Sequence, residues 1–212
     1  MPAVSSRARA GLTCMTTTTD LDLSPAAAEL TRVVAAVRDD QLTHPTPCAD
    51  TSVAGLLAHV HGLAVGLRMV AEKQPDVGPP AGGAEALPAD WRARIPHELG
   101  ALVAAWREPA AWEGVAEGAG VVLPAPVWAR VVLDELVVHG WDVAVAVGAG
   151  YDPDPASVQV CLDFVGDRSD APADEAPGLF GPAVPVAPDA PPLDRLLGAT
   201  GRDPRWAAPV SR

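Results

Sequence analysis

The stretch PVWARVVLDELVVHGWDVAVAVG, residues 126–148, constrains the fold of this chain more than any other. It predicts one helix that is apolar on almost all sides, with a proline in its first turn and a glycine after its end. One side nevertheless carries three ionisable residues, Glu135, His139 and Asp142, at spacings of four and three. A carboxylate removed from water is normally neutralised, paired or bound to metal. Because side chains four residues apart lie about 6 Å apart, Glu135 and His139 can reach one ion, and we predict a metal site.

The composition narrows the classes of partner. The chain has 212 residues and a formal net charge of −12, which disfavours nucleic acid and acidic lipid, since both require clustered Lys and Arg. No segment has roughly 18 uninterrupted apolar residues, so we expect no membrane span. The cysteines Cys14, Cys48 and Cys161 are too scattered for a disulfide framework or a cysteine zinc cluster, and we expect a cytoplasmic protein.

The chain divides into three predicted parts. Residues 1–19 are expected to form a disordered leader, in which Met15 is an alternative initiator. Residues 20–167 are expected to form a helical bundle. Residues 168–212, rich in proline and acidic residues, predict a loosely ordered strap with Phe180 and Val184 as anchors, followed by a short helix that packs on the bundle.

Amphipathic periodicity predicts the helices of the bundle. The first is expected at residues 25–40, the second begins after a cap at residues 50–52, the third starts near Asp90 and stops before Pro109, and the fourth is the opening stretch. Pro96 either bends the third helix or marks its start. A fifth helix is predicted between Asp154 and Gly166. The fold class is therefore all-α: a four-helix bundle with an extra C-terminal helix and a Pro-rich strap.

The second helix carries two histidines, His59 and His61. Both flank its main apolar stripe, so periodicity does not choose between them as metal ligands, and either is also compatible with an ordinary histidine at a helix boundary. Cys48, in the preceding loop, is interpreted as structural because the sequence fixes no base beside it.

Three stretches carry a family resemblance: PTPCAD followed by VAGLLAHVHG; LDELVVHGWDVAVAVG; and FGPAVPV followed by DAPPLDRLLGATGRDP. Together they cover most of residues 24–206. In this order they resemble the mycothiol-dependent maleylpyruvate isomerase N-terminal domain family, within the DinB/YfiT-like metalloprotein superfamily.

The resemblance implies a four-helix bundle that holds one divalent metal through His59, Glu135 and His139. It thereby favours His59 over His61, which becomes a residue of the second shell or of the surface. Asp142 is expected to orient a ligand or to bind a loop arginine; an ion pair on the helix surface is the alternative. Two imidazoles and a carboxylate suit zinc and leave a position open, although nickel, iron or manganese can occupy the same set.

The resemblance also implies chemistry with a low-molecular-weight thiol such as mycothiol, which a metal would bind and activate for transfer, conjugation or isomerisation of a small-molecule substrate. The resembled isomerase has a separate C-terminal domain that this chain replaces with a strap and a short helix, which argues against maleylpyruvate isomerase activity itself. A metal-dependent hydrolase, a non-catalytic metal-binding or ligand-sensing bundle, and a metal-free Glu135 ion pair are the alternatives. No catalytic side chain is assigned, and the protein is expected to be a monomer or homodimer.

Overall fold

The computed structural model describes residues 21–75, 83–166 and 181–208, which are mostly helical. Short 3-10 turns and a small hairpin connect the α-helices, and the prediction of a helical protein is confirmed. The helices within these ranges are α1 (Ser24–Ala36), α2 (Val53–Ala71), α3 (Trp91–Trp106), α4 (Ala125–Val147), α5 (Pro155–Val165) and α6 (Pro192–Ala199). The hairpin consists of β1 (Val115–Gly118) and β2 (Val121–Pro124).

The four longest helices pack around one apolar core. Both α1 and α2 contact α3 and α4, while α5 packs on α4 and carries α6 on its other side. Most residues of α4 are buried, in agreement with its apolar sequence. The core contains fully buried leucines from each of these four helices: Leu30, Leu57, Leu99 and Leu133.

The ends of α4 form where its sequence predicts them. Pro126 lies in the first turn, and Gly148 ends the helix in the left-handed region at φ 69°. The side chain of Gln41, which is buried, donates to the carbonyl of Val147 at 2.9 Å and so satisfies one of the last carbonyls of α4. This contact also explains why α1 ends at Ala36 rather than near residue 40: the chain turns extended at Val37 to bring Gln41 to α4.

Pro96 does not mark the start of α3. The helix begins at Trp91 and continues past the proline, so that alternative is wrong. A proline inside a helix removes one backbone hydrogen bond, and the surrounding packing has to compensate. Ile95 and Leu99, on either side of Pro96, are both fully buried in the core and hold the helix in place.

The hairpin between α3 and α4 is the main element that the sequence analysis missed. The sequence predicts a connector with one short extended piece here, whereas β1 and β2 pair antiparallel. The turn places Ala119 and Gly120 at φ 49° and 76°, and an alanine there gives no Asn-Gly or Asp-Gly signal. Trp128 of α4 donates its indole N–H to the carbonyl of Ala116 at 2.9 Å and so fixes the hairpin to the bundle.

Within the C-terminal segment, residues 181–208, α6 packs against α5, and the residues before α6 fold back onto it. The backbone N–H of Val184 donates to the carbonyl of Gly198 at 2.8 Å, and a Cβ at Gly198 would lie 2.7 Å from the Val184 carbonyl. Only glycine therefore fits at this crossing. Val184 thus contacts α6, as expected of an anchor; Phe180, the leader and most of the strap lie outside the described residues.

Helix α2 alone, within the described ranges, is long and apolar enough to pass a length-and-composition test for a membrane span. Core helices of soluble proteins pass the same test, and 56% of the apolar window in α2 is buried inside the protein. The expectation of no membrane partner stays a prediction.

Candidate metal centre

Helices α2 and α4 bring three predicted ligands together. Glu135 and His139 lie one turn apart on α4, and His59 lies opposite them on α2. One donor atom from each lies within 4.8 Å of the others. The i, i+4 spacing therefore places both α4 side chains at one point, and the contact between α2 and α4 supplies the third.

The contacts among these side chains are close and directional. Nε2 of His139 donates to Oε2 of Glu135 at 2.9 Å. The rings of His59 and His139 meet edge to face, with centroids 4.9 Å apart. His59 makes no hydrogen bond to any residue in the described ranges, so its ring nitrogens are available to a ligand.

The donor set fits a divalent cation. Two nitrogens and a carboxylate oxygen are ordinary zinc ligands, and two ligands of a tetrahedral zinc ion lie about 3.3 Å apart. The 2.9 Å separation of His139 Nε2 and Glu135 Oε2 therefore needs to open by less than about half an ångström. Such a cation would displace the Nε2 proton of His139.

The opposite nitrogen of His139 is held by Asp142. Nδ1 lies 3.0 Å from Oδ2 of Asp142, whose side chain is completely buried. Because a carboxylate accepts and cannot donate, Nδ1 carries the proton of this bond. Because Asp142 is buried, the alternative of an ion pair on the helix surface is wrong, while its role in orienting a metal ligand stays a prediction.

Two further side chains converge on the same oxygen of Asp142. Arg202, from the C-terminal segment, donates through Nη2 at 3.1 Å. The thiol of Cys48 donates at 3.3 Å and lies 3.8 Å from the same Arg202 nitrogen. Asp142 thus does bind a loop arginine, as one of the sequence alternatives proposed.

The pKa shifts follow from these partners. Burial by itself would lower the pKa of His139, but hydrogen bonds with Asp142, Cys48 and Glu135 raise it well above its usual range. Burial opposes ionisation of Glu135 and Asp142, yet the contacts with His139 and the charge of Arg202 lower the pKa of both carboxyl groups. Burial lowers the pKa of His59 and so favours its neutral, metal-binding form.

A second set of donor atoms, from Cys48, His139 and Asp142, also lies within 4.8 Å. The guanidinium of Arg202 already brings a positive charge to both Asp142 and Cys48 in that set. A cation there would lie against the guanidinium of Arg202, whereas the charge of Arg202 acts on Glu135 and His59 without a direct contact within the part of the chain that is described. The first set is therefore the better metal site.

The structure does not bring His61 to this cluster. Its charged neighbours are Asp90, Arg94 and Glu98, near or on α3. Asp134 is also separate, although it precedes Glu135: its side chain is buried near Cys161 of α5, and its Oδ1 has no hydrogen-bond partner among the described residues. Burial, reinforced by the charge of Glu135, raises the pKa of Asp134 to about 7.

The cluster is reached from the side of His59 and Glu135. Both are partly exposed, while His139 and Asp142 are buried. A narrow recess beside Glu135 receives side chains from all four long helices, and among described residues Glu135 is the only charged one that lines it. Its apolar walls include Leu30, Val60, Leu99, Val132 and Leu136.

Neither the role of Arg202 nor the contact of Cys48 with Asp142 was predicted from the sequence. Both residues lie far from α4 in sequence, so no helical spacing connects them to His139. The only available signal was their place within two of the motifs that carry the resemblance, PTPCAD and GATGRDP.

Comparisons with known proteins agree with this architecture. Two uncharacterised proteins from different strains of Mycobacterium tuberculosis are each 28% identical over 185 residues, which cover 82% of this chain and 91% of the relative. The crystal structure of the mycothiol-dependent maleylpyruvate isomerase matches with a TM-score of 0.53 at 21% identity, over 73% of this chain and 72% of that one. At this identity the match supports a shared fold.

Residues 23–144, more than half of the chain, match the model of the family described as the mycothiol maleylpyruvate isomerase N-terminal domain. The matched region includes His59, Glu135, His139 and Asp142 and ends before α5. The chain therefore belongs to the mycothiol maleylpyruvate isomerase N-terminal domain family.

Proposed function

We propose that this protein is a DinB-like four-helix-bundle metalloprotein that holds one divalent cation through His59, Glu135 and His139. The observation that carries this proposal is the convergence of their donor atoms, within 4.8 Å, from two helices of the core. The free ring nitrogens of His59 and the short Glu135–His139 contact support it. Zinc suits the set best; nickel, iron and manganese accept the same ligands.

We further propose an enzyme that uses a low-molecular-weight thiol, such as mycothiol, for transfer, conjugation or isomerisation of a small molecule. The support is the name and fold of the family together with a donor set that leaves a coordination position open. A bound divalent cation would lower the pKa of a thiol that reaches it and so supply thiolate near neutral pH.

The residues of the chain prepare this chemistry. Asp142 keeps a proton on Nδ1 of His139, which directs Nε2 toward Glu135 and His59. The partial exposure of His59 and Glu135 lets a small thiol approach from that side. The recess beside Glu135 is apolar and, at about 10 Å³, has room for one water-sized group only.

The net charge of −12 supports a small-molecule function without nucleic acid or membrane. We propose a cytoplasmic protein that acts as a monomer or homodimer. Size-exclusion chromatography with light scattering measures the oligomeric state directly.

The first experiment measures metal per chain by elemental analysis, on protein purified without a histidine tag and reloaded with zinc. We expect one equivalent in the wild type and none in His59→Ala or His139→Ala. The matched control is His61→Ala, two residues from His59 on the same helix, which should retain full loading. Wild-type protein without stoichiometric metal after reloading would contradict the proposed centre.

The second experiment tests the thiol. Cobalt-substituted protein is titrated with mycothiol, and a sulfur-to-cobalt charge-transfer band is expected in the near ultraviolet. Absence of this band, with cobalt bound normally, would overturn the thiol-using function and leave the metal centre intact. Hydrolysis of model esters by such a preparation would then favour the hydrolase alternative.

A further inference from the structure

We propose that Arg202 is a positioning residue of the metal centre, which acts through Asp142 to fix the orientation and the Nδ1 proton of His139. The predicted effect of Arg202 on metal binding rests on the function proposed above. The predicted effect of Arg202 on the orientation and the Nδ1 proton of His139 does not depend on that function.

The first step is the contact between Asp142 and His139. The carboxylate accepts from Nδ1 at 3.0 Å and is completely buried, so water does not compete for this bond. A histidine ligand whose second nitrogen donates to a carboxylate is held in one tautomer and one ring orientation. Asp142 therefore controls the direction of the nitrogen that faces Glu135.

The second step is the contact between Arg202 and Asp142. Nη2 donates to the same carboxylate oxygen at 3.1 Å, while Nη1 donates to the carbonyl of Thr200 at 2.7 Å. Two donors of one rigid guanidinium are thus engaged at once, which fixes its plane. Since the Arg202 side chain is only 15% exposed, this pair lies in a poorly solvated environment.

The third step is the anchoring of Arg202 itself. Its backbone N–H donates to the carbonyl of Leu197 at 2.7 Å, and the hydroxyl of Thr200 lies 3.0 Å from the carbonyl of Leu196. These bonds tie the chain to the last turn of α6, where Leu196 and Leu197 are fully buried. The arginine is therefore presented by a packed segment of the molecule.

The final step is where this segment lies in the chain. The family match ends at residue 144, so the four-helix part supplies the three proposed ligands and Asp142 but not the arginine. Apart from Arg202, the hydrogen-bond partners of Asp142 in the described ranges are His139 and Cys48. The C-terminal segment thus delivers the only fixed cation that this buried carboxylate contacts there.

The test compares Arg202→Ala and Arg202→Gln with Arg205→Ala, a control three residues away whose side chain is 88% exposed. Zinc affinity is measured by competition with a chelator on full-length protein. We expect affinity to fall about tenfold in Arg202→Ala, less in Arg202→Gln, which keeps N–H donors, and not at all in the control. Equal affinities in Arg202→Ala and Arg205→Ala would overturn the proposal.

A double-mutant cycle separates positioning from general stability. If Arg202 acts through Asp142, Arg202→Ala combined with Asp142→Asn should weaken zinc binding no more than Asp142→Asn alone. Additive losses would show that Arg202 acts by another route and would contradict the proposal.

A measurement without metal keeps the two proposals distinguishable. In metal-free protein, NMR follows exchange of the His139 Nδ1 proton with water, which we expect to be slow in the wild type, about tenfold faster in Arg202→Ala and less affected in Arg202→Gln. Should the wild type bind no zinc, the proposed function fails, and this rate still decides the role of Arg202. An unchanged rate in a folded Arg202→Ala variant would refute it.

Discussion

The two nitrogens of His139 face regions of opposite character. On the Nε2 side lie Glu135 and His59, both partly exposed, and His59 has no hydrogen bond within the described ranges. On the Nδ1 side lies the buried group of Asp142, Cys48 and Arg202, in which one carboxylate oxygen accepts three donors. One side has ligand atoms to offer, whereas on the other side all three donors are paired with Oδ2 of Asp142, and Oδ1 of Asp142 has no hydrogen-bond partner among the described residues.

This difference shows how a buried histidine can be both fixed and reactive. The paired side holds the ring through directional bonds in a dry environment, where each bond is strong. The other side brings the ring nitrogens of His59 and the carboxylate of Glu135 close to Nε2 of His139. Substitutions on the two sides of His139 should therefore lower metal affinity by different amounts. The order of these losses tests whether the two sides differ as described.

The largest effect is expected from Glu135→Gln. The substitution keeps the size of the side chain but replaces a charged ligand oxygen with an amide, and zinc affinity should fall by more than about 100-fold. Isothermal titration against a chelator of known affinity measures the loss. Glu117→Gln, on the exposed face of the hairpin, is the control and should bind zinc normally. Normal zinc affinity in Glu135→Gln would mean that the cation binds elsewhere.

A smaller loss, about 10- to 100-fold, is expected for Asp142→Asn. The amide oxygen can still accept from Nδ1 of His139, but because it is neutral it holds that proton more weakly and no longer balances the charge of Arg202. The cobalt spectrum should change together with the affinity, because the ring of His139 is no longer held in one orientation. Asp163→Asn on α5, where the carboxylate is exposed, should alter neither. An unchanged spectrum in Asp142→Asn would indicate that Asp142 serves stability alone.

A loss of no more than about threefold is expected for Cys48→Ala. Asp142 keeps its bonds to His139 and Arg202 in this variant, so the ring of His139 remains oriented. The measurement is again zinc affinity by chelator competition. If Cys48→Ala abolished binding while Glu135→Gln preserved it, the cation would lie on the Nδ1 side, and the assignment of the two sides would have to be reversed.

No change in zinc affinity is expected for Asp134→Asn, although Asp134 is adjacent to Glu135. What should change is the pH dependence of stability. The pKa of about 7 means that the folded protein keeps this proton between about pH 4 and pH 7 while the unfolded chain releases it. The wild type should therefore lose stability, relative to the variant, as pH rises through this range, by at most about 1.4 kcal/mol per pH unit.

Denaturant unfolding at pH 5 and pH 8, with the metal removed from both proteins, measures this difference. Wild type and variant share every other titrating group, so the change in their free-energy difference reports on Asp134. Parallel pH profiles would show that Asp134 is ionised in the folded protein throughout.

Sequence periodicity was sufficient for the parts of the site that lie on one helix. Three ionisable residues on an apolar stripe identified Glu135, His139 and Asp142, because helical geometry alone places them on one side. Periodicity could not choose between His59 and His61, since both flank the same stripe; the packing of α2 against α4 decides which one faces Glu135. Arg202 was beyond such reasoning, because its position depends on how α6 packs on α5.

The fold, too, divides into features that local sequence determines and features that long-range packing determines. Caps and breakers located α4 and α5 well, as each boundary is a local property of the chain. The end of α1 was misplaced because a long-range bond from Gln41 to α4 determines it. The hairpin was missed because its turn places an alanine where φ is positive.

Helix α4 also contains one glycine, Gly140, next to His139. Tyr151 folds back across it and donates its hydroxyl to the carbonyl of Val137 at 2.6 Å, and a Cβ at position 140 would lie 2.8 Å from that hydroxyl. A Cβ at position 140 and the hydroxyl of Tyr151 would thus occupy the same space. The residues at positions 140 and 151 should therefore change together in evolution. Among relatives we expect glycine at 140 wherever tyrosine occupies 151, and larger residues at 140 only where the residue at 151 has become smaller.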